Sequence, residues 1–148
     1  MQDTTTLSTA GELVMRTIAM PSDTNARGDI FGGWVLSQMD LGGGVIAKGY
    51  SPTGRAVTIS IETMTFINPI KVGDLVSCYA KVVHKGRTSM KIQIEAWTYD
   101  YITRESKPVT HGIFTYVAIN DENKPIPIME PHPATKSILK HGSSDAHQ

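Results

Sequence analysis

The sequence is poor in cysteine, with a single one, Cys78, among 148 residues. One cysteine cannot form a disulfide bond within the chain. Cys78 alternates with valine and alanine in a predicted strand, which indicates a buried core side chain. The low cysteine content is typical of proteins from a reducing compartment, and we expect a cytoplasmic location.

An excess of charge of one sign is also absent, because 14 Lys and Arg residues balance 14 Asp and Glu residues. A neutral chain gives no reason to expect nucleic acid or an anionic membrane as a partner. The N-terminal residues lack the basic start and apolar run of a signal peptide, and the longest apolar region is interrupted by polar residues and glycines. The five histidines show no metal-ligand spacing, so we expect no metal site and no cofactor.

The length allows one domain with a real core. Composition divides the chain into a flexible N-terminus at 1–10, a folded domain at 11–120 and a proline-rich tail at 121–148. In the tail we expect at most a short helix near 135–140, followed by disorder. In the domain, the patterns predict a strand, a long helix and four further strands, at 11–20, 31–48, 56–66, 75–84, 88–101 and 109–119. Short connections between the last strands predict an antiparallel sheet and an α+β fold.

The predicted helix carries two distinct faces. One face is an apolar stripe that we expect to cover the sheet, formed by Phe31, Trp34, Val35, Met39, Val45 and Ile46, with Gln38 and Gly42 within it. Asp40 lies almost opposite the centre of this stripe. Its face holds Gly33, Leu36, Gly43, Gly44 and Ala47 instead of the charged residues of a solvated helix.

The glycines make Asp40 a candidate functional residue. Each glycine inside a helix costs about 0.5–1 kcal/mol relative to alanine, so several of them indicate a close approach by another backbone or a ligand. We therefore expect a second subunit or a substrate to cover this face. The spacing alone is equally compatible with a surface aspartate on a helix whose glycines serve packing.

Four stretches of sequence, in order along the chain, carry a family resemblance. They are TIAMPSDTNARGDIFGGWVLSQMDLGGGVIAK at 17–48, VTISIETMTFINPIKVGDLV at 57–76, and KGRTSMKIQIE at 85–95 followed by HGIFTYVAI at 111–119. This sequence resembles the hotdog-fold acyl-CoA thioesterases, and is especially similar to their YciA-like branch. The resemblance implies one long central helix wrapped by a five-stranded antiparallel sheet.

The resemblance also implies an activity, site residues and an assembly. The implied reaction is hydrolysis of acyl-CoA to a free carboxylic acid and coenzyme A. Asp40 matches the carboxylate that activates the attack, and Asn25 matches an asparagine that assists from the neighbouring subunit. Gly32 and Gly33 match the glycines whose N–H groups polarise the thioester carbonyl. The implied assembly is a homodimer that forms a homohexamer as a trimer of dimers.

A basic hairpin connection is a candidate for binding the phosphates of coenzyme A. It contains Lys85, Arg87, Thr88 and Ser89, and arginine and serine are natural phosphate partners. By itself the pattern favours a solvated charged turn. With the resemblance, phosphate contact is the preferred interpretation for Arg87 and Ser89, and a less favoured one for Lys85.

Two other functions stay open at this point. A hotdog hydroxyacyl dehydratase would need a catalytic histidine ahead of, or on, the central helix, and no histidine precedes His84. A non-catalytic acyl-CoA-binding module would gain nothing from an unpaired carboxylate at Asp40. Glu62 is either a second carboxylate near the site or a solvent-facing strand residue, and the alternation of its strand favours the latter.

Overall fold

The computed structural model describes residues 11–62 and 64–131, and within them it contains five β-strands and one α-helix. A short 3₁₀ turn at Pro21–Asp23 precedes the helix. The elements are β1 (Glu12–Ile18), α1 (Gly32–Gly49), β2 (Ala56–Glu62), β3 (Leu75–Lys85), β4 (Ser89–Asp100) and β5 (Glu105–Ala118). The α+β prediction of one long helix with a five-stranded sheet is confirmed.

The strands form a single antiparallel sheet in the order β1-β3-β4-β5-β2. The hairpins β3–β4 and β4–β5 form its centre, while β1 and β2 form its edges. Helix α1 contacts all five strands. The centre of the core therefore lies between α1 and β4, whose side chains Met90, Ile92, Ile94 and Ala96 are fully buried. Cys78 on β3 is also fully buried, as its alternation predicted.

Two strand limits differ from the prediction by four residues, whereas the others agree within two. β5 begins at Glu105, before Pro108, whereas the proline was expected to precede the strand. Pro108 is tolerated because it pairs with Trp97 at a register irregularity, where a ladder hydrogen bond is not required of it. β2 ends at Glu62 rather than at residue 66. After it, the chain runs beside the start of β5, where the Ile67 N–H donates to the Val109 carbonyl.

The predicted buried stripe of α1 is wrong on one side. Phe31 and Val45 are exposed, at 45% and 44%, whereas Gly43 and Ala47 are buried together with Val35, Met39, Gly42 and Ile46. The buried face is therefore turned toward Asp40, which lies at its border rather than opposite to it. The cause is the contact of α1 with every strand, because edge strand β2 and its neighbour β5 then pack on the flank of the helix that carries Asp40.

The described part of the proline-rich segment, residues 121–131, lies against the domain. The Ile126 N–H donates to the Ala118 carbonyl, the Ile128 N–H to Arg87, and the Met129 N–H to Tyr50. These bonds join the segment to β5, to the β3–β4 connection and to the end of α1. The predicted short helix at 135–140 and the N-terminus at 1–10 lie outside the described residues. Within the residues that the structure describes, none of the helical segments combines the length and hydrophobicity of a membrane-spanning helix.

Candidate functional site

Asp40 is held by two hydroxyl groups from the sheet. Thr58 Oγ1 donates to Asp40 Oδ1 over 2.6 Å. Tyr116 Oη lies 3.2 Å from the same oxygen and 2.9 Å from the backbone carbonyl oxygen of Asp40. Thr58 on β2 and Tyr116 on β5 are directly paired across the two strands. Cross-strand partners point to the same face of a sheet, so one pair brings both hydroxyls to one carboxylate.

This arrangement leaves the second oxygen of the carboxylate available. Both side-chain hydrogen bonds are accepted by Oδ1, and in the described part of the chain neither a hydrogen bond to Oδ2 nor an ion pair of Asp40 is present. Burial, and then the charge of Asp40, raise the pKa of the Tyr116 phenol well above its usual range. The phenol therefore stays protonated and acts as a donor to Asp40. An oriented carboxylate with one free oxygen can accept a proton from water or attack a carbonyl carbon.

The N-terminus of α1 has no side-chain cap. Its N-cap residue is Phe31, which has no acceptor in its side chain, and the Trp34 N–H donates to the Phe31 carbonyl. The N–H groups of Gly32 and Gly33 thus have no partner in the described part of the chain. Unpaired N–H groups and the positive end of the helix dipole together form a site suited to an oxyanion.

A cleft of about 360 Å³ opens beside this helix terminus. Gly32 lies on its wall, and a Cβ atom at Gly32 would come within 3.1 Å of the Phe66 ring. The remaining lining is mostly apolar and comprises Ile30, Val35, Ile67, Asn68, Pro69, Ile70 and Val109. An apolar cleft next to backbone N–H groups can bind an apolar chain attached to a polar carbonyl.

Asn25 organises the loop that precedes α1. Its Oδ1 accepts hydrogen bonds from the N–H groups of Arg27 and Asp29, at 2.9 and 3.2 Å. Its backbone N–H donates to the Asp29 carbonyl, and its carbonyl accepts from Gly28. The exposed side chain keeps its amide N–H₂ group without a partner among the described residues. Asn25 can therefore hold the loop with one end and donate to a ligand with the other.

The four residues expected to bind coenzyme A lie at the β3–β4 connection, which is closed by a hydrogen bond from the Gly86 N–H to the Ser89 carbonyl. The Lys85 ammonium is engaged by Glu130, at 2.7 Å, and lies over the Tyr50 ring. The Arg87 side chain is exposed and without a partner among the described residues. Thr88 and Ser89 are half-buried, and their carbonyls are used by Ala118 and Gly86. Arg87 is thus the cation of this turn that is available to a phosphate.

The structure brings only part of the predicted site together within one chain. Gly33 and Asp40 are seven residues apart on one helix, a rise of roughly 10 Å. Asn25 and Asp40 share no hydrogen bond in the part of the chain that the structure describes. Sequence reasoning missed Thr58 and Tyr116. Alternation along the strand at 56–62 places Thr58 on the face opposite Val57 and Ile59, but no sequence signal links this strand face to Asp40.

Other titratable groups lie away from the carboxylate. His84 and His111 are exposed residues of β3 and β5, so neither occupies the position on the central helix that a dehydratase requires. Glu62 is exposed and pairs with Lys91 at 3.3 Å, which agrees with a solvent-facing residue. No cluster of three metal-ligating side chains occurs among the described residues.

Comparison with known proteins identifies relatives over most of the chain. Residues 27–102, more than half of the chain, match the thioesterase superfamily. The acyl-CoA thioester hydrolase YciA of Salmonella typhimurium is 50% identical over 121 residues, covering 80% of this chain and 90% of the relative. The protein of the same name from Escherichia coli (strain K12) is 51% identical over 118 residues, covering 78% and 89%.

Solved structures show the same architecture. A hexameric broad specificity acyl-coenzyme A thioesterase matches with a TM-score of 0.78 and 43% identity, covering 88% of this chain and 90% of that one. A hexameric thioesterase from Yersinia pestis matches with a TM-score of 0.75 and 47% identity, covering 80% and 96%. The predicted hotdog fold is thereby confirmed. The chain belongs to the thioesterase superfamily, as a member of the YciA-like branch of the hotdog-fold acyl-CoA thioester hydrolases.

Proposed function

We propose that this enzyme hydrolyses acyl-CoA to a free carboxylic acid and coenzyme A, with the Asp40 carboxylate activating the attack on the thioester carbonyl. The observation that carries this proposal is the carboxylate itself, because both donors bind Oδ1 and leave Oδ2 available. The hydroxyls of Thr58 and Tyr116 limit its rotation, so Oδ2 can keep one orientation toward water or substrate. Water activation and direct attack by Asp40 both suit this geometry.

The N–H groups of Gly32 and Gly33 polarise the thioester carbonyl in this proposal. They have no partner among the described residues and lie at the positive end of α1. Charge accumulates on the carbonyl oxygen as the tetrahedral intermediate forms, and pre-oriented donors stabilise it more than they stabilise the ground state. The cleft beside Gly32 would hold the apolar part of the acyl group.

The site is proposed to form between two copies of this chain. The helix start and Asp40 of one chain are separated by roughly 10 Å along α1, which is too far for both to act on one carbonyl. A second copy brings its own Asp40 to the helix start of the first. Asn25 would then donate its free amide to substrate or water beside the partner's carboxylate.

Exposed apolar residues on edge strand β2 and on α1 support a second copy as the partner. Val57, Ile59 and Ile61 on β2 are exposed, with Ile59 at 59%, and Leu41 on α1 is exposed at 60%. Apolar residues on an open strand edge invite pairing with a further strand. The two solved relatives above are described as hexameric, and we propose a homohexamer built as a trimer of dimers for this chain as well.

The phosphates of coenzyme A are assigned to the β3–β4 connection. Arg87 supplies the free guanidinium, and the hydroxyls of Ser89 and Thr88 add donors. Lys85 contributes less because Glu130 already neutralises its charge.

The test of the proposed function is thiol release from acyl-CoA, followed with a thiol-reactive dye. Asp40→Asn preserves shape and hydrogen-bond acceptance but removes the negative charge. We expect it to lower kcat by about 10²–10⁴-fold, the usual contribution of a general base, with acyl-CoA binding retained. Turnover within a few-fold of the wild type would refute the role of Asp40. Cys78 will not disturb the assay, because it is fully buried and burial raises the pKa of its thiol to about 12.

A further inference from the structure

The Tyr116 hydroxyl contacts two different parts of Asp40. It lies 2.9 Å from the backbone carbonyl oxygen and 3.2 Å from Oδ1 of the carboxylate. Neither acceptor carries a proton when Asp40 is ionised, so the single phenol proton is shared between them. A donor that bridges the backbone and the side chain of one residue restricts the rotation between them, since other rotamers would lose the contact with Oδ1.

The surroundings of this hydroxyl are built to hold it in place. Tyr116 is only 2% exposed and its ring stacks against Phe114. Gly43 lies beside the hydroxyl on α1, and a Cβ atom there would overlap both Tyr116 Oη and Ile94 Cδ1. A residue larger than glycine at position 43 would therefore push the hydroxyl away from Asp40. At the neighbouring Gly44, a Cβ atom would meet no described atom within 4 Å. The steric exclusion of a side chain is therefore specific to position 43, where Tyr116 and Ile94 lie.

We propose that Tyr116 is a positioning residue that orients the Asp40 carboxylate for catalysis, and that residue 43 is glycine in order to admit its hydroxyl. This proposal rests on the proposed function of Asp40. Thr58 donates to the same oxygen but lies on edge strand β2, whereas Tyr116 lies on β5 between β4 and β2. Tyr116 also fixes the backbone of the helix at the catalytic turn, which Thr58 does not.

Tyr116→Phe removes the hydroxyl and leaves the packed ring in place. We expect kcat to fall about tenfold, within the range for a hydrogen bond to a charged group, while KM changes by less than about twofold. The matched control is Tyr79→Phe, which removes a tyrosine hydroxyl that accepts a hydrogen bond from Arg16 and makes none with Asp40 among the described residues. This control should keep kcat within about twofold of the wild type, because Tyr79 is half-buried on β3 and takes no part in holding Asp40.

A double-mutant cycle shows whether Tyr116 acts through Asp40. In the Asp40→Asn background, Tyr116→Phe should change the residual kcat by less than about twofold, because the group that it orients no longer has its charge. A purely structural role would lower kcat by the same factor in both backgrounds and would overturn the proposal. Gly43→Ala tests the same contact, because the added methyl group would displace the Tyr116 hydroxyl. When Gly43→Ala and Tyr116→Phe are combined, the loss of kcat should be smaller than the product of the two single losses.

The outcomes separate this proposal from the proposed function. If Asp40→Asn lowers kcat by about 10²–10⁴-fold but Tyr116→Phe behaves like Tyr79→Phe, the positioning role is overturned and the role of Asp40 stands. If Asp40→Asn itself keeps wild-type turnover, both are overturned.

Discussion

At the scale of single residues, the two cations of the β3–β4 connection differ in what they can offer a ligand. Lys85 is paired with Glu130, and this hydrogen bond is the main cause that raises the pKa of its ammonium. Arg87 is exposed and without such a partner among the described residues. A guanidinium also matches the geometry of a phosphate better than an ammonium does. The turn therefore offers its own matched control for phosphate anchoring.

Arg87→Ala should raise KM for acyl-CoA about 10–150-fold, because a charge-assisted hydrogen bond is worth about 1.5–3 kcal/mol. The anchor acts equally in the ground and transition states, so kcat should change little. Hydrolysis of an acyl-N-acetylcysteamine thioester, which has no nucleotide, should stay unchanged, and Lys85→Ala should have a smaller effect than Arg87→Ala on acyl-CoA. Equal losses on both substrates would instead assign Arg87 to the fold or an interface.

At the scale of the element, the consecutive glycines of α1 serve different purposes. A Cβ atom at Gly42 would come within 2.8 Å of Val14 on β1, so this glycine lets the sheet approach the helix. Gly43 admits Tyr116 and Ile94. A Cβ atom at Gly44 would have no other described atom within 4 Å. The described residues therefore give no steric reason for a glycine here, although glycine lowers the stability of a helix. We therefore predict that a second subunit lies against Gly44.

Gly44→Ala and Gly42→Ala form a matched pair of substitutions on this helix. Gly42→Ala should lower the free energy of unfolding by about 1–3 kcal/mol, the usual cost of overpacking, because Val14 must move. Gly44→Ala should instead weaken subunit assembly and activity, measured by light scattering and thiol release. On a solvent-exposed face the same change would stabilise the helix by about 1 kcal/mol. If Gly44→Ala raises the stability and leaves the mass of the assembly and the activity unchanged, Gly44 faces solvent.

At the scale of the whole molecule, the proposed site needs residues from two chains. Asn25→Asp keeps the oxygen that holds the loop at 25–29 and removes the amide donor, while Asp40→Asn removes the charge. Each variant alone should be inactive. In a two-fold symmetric dimer of the two variants, one shared site carries both changes and the other carries neither.

An equal mixture of the two variants, after subunit exchange, should therefore recover about a quarter of wild-type activity. Exchange is verified by mass spectrometry of an isotope-labelled partner, and each variant mixed with itself is the control. No recovery after verified exchange would mean that Asn25 and Asp40 serve the same site from one chain.

The sequence by itself was sufficient to predict the helix and the strands, and to select candidate site residues on the helix and in the loop before it. Its periodicity predicted the long helix and the antiparallel hairpins, because both patterns reflect local backbone geometry. It also singled out Asp40 among glycines, and the resemblance of its motifs identified the family. The sequence did not predict that Pro108 lies within β5, or that the buried face of α1 is turned toward Asp40. Both depend on which strands meet across the sheet.

Only the tertiary structure decided how Asp40 is held. Thr58 and Tyr116 are separated from Asp40 by 18 and 76 positions in the chain, and no local pattern marks either one as its partner. They meet it because β2 pairs with β5 at the sheet edge that packs on this flank of α1. Gly43 was assigned to the face that a second subunit or a substrate covers, and it instead makes space for a hydroxyl from β5. Side-chain partners of this kind are set by strand order and register, which arise from packing of the whole chain rather than from local periodicity.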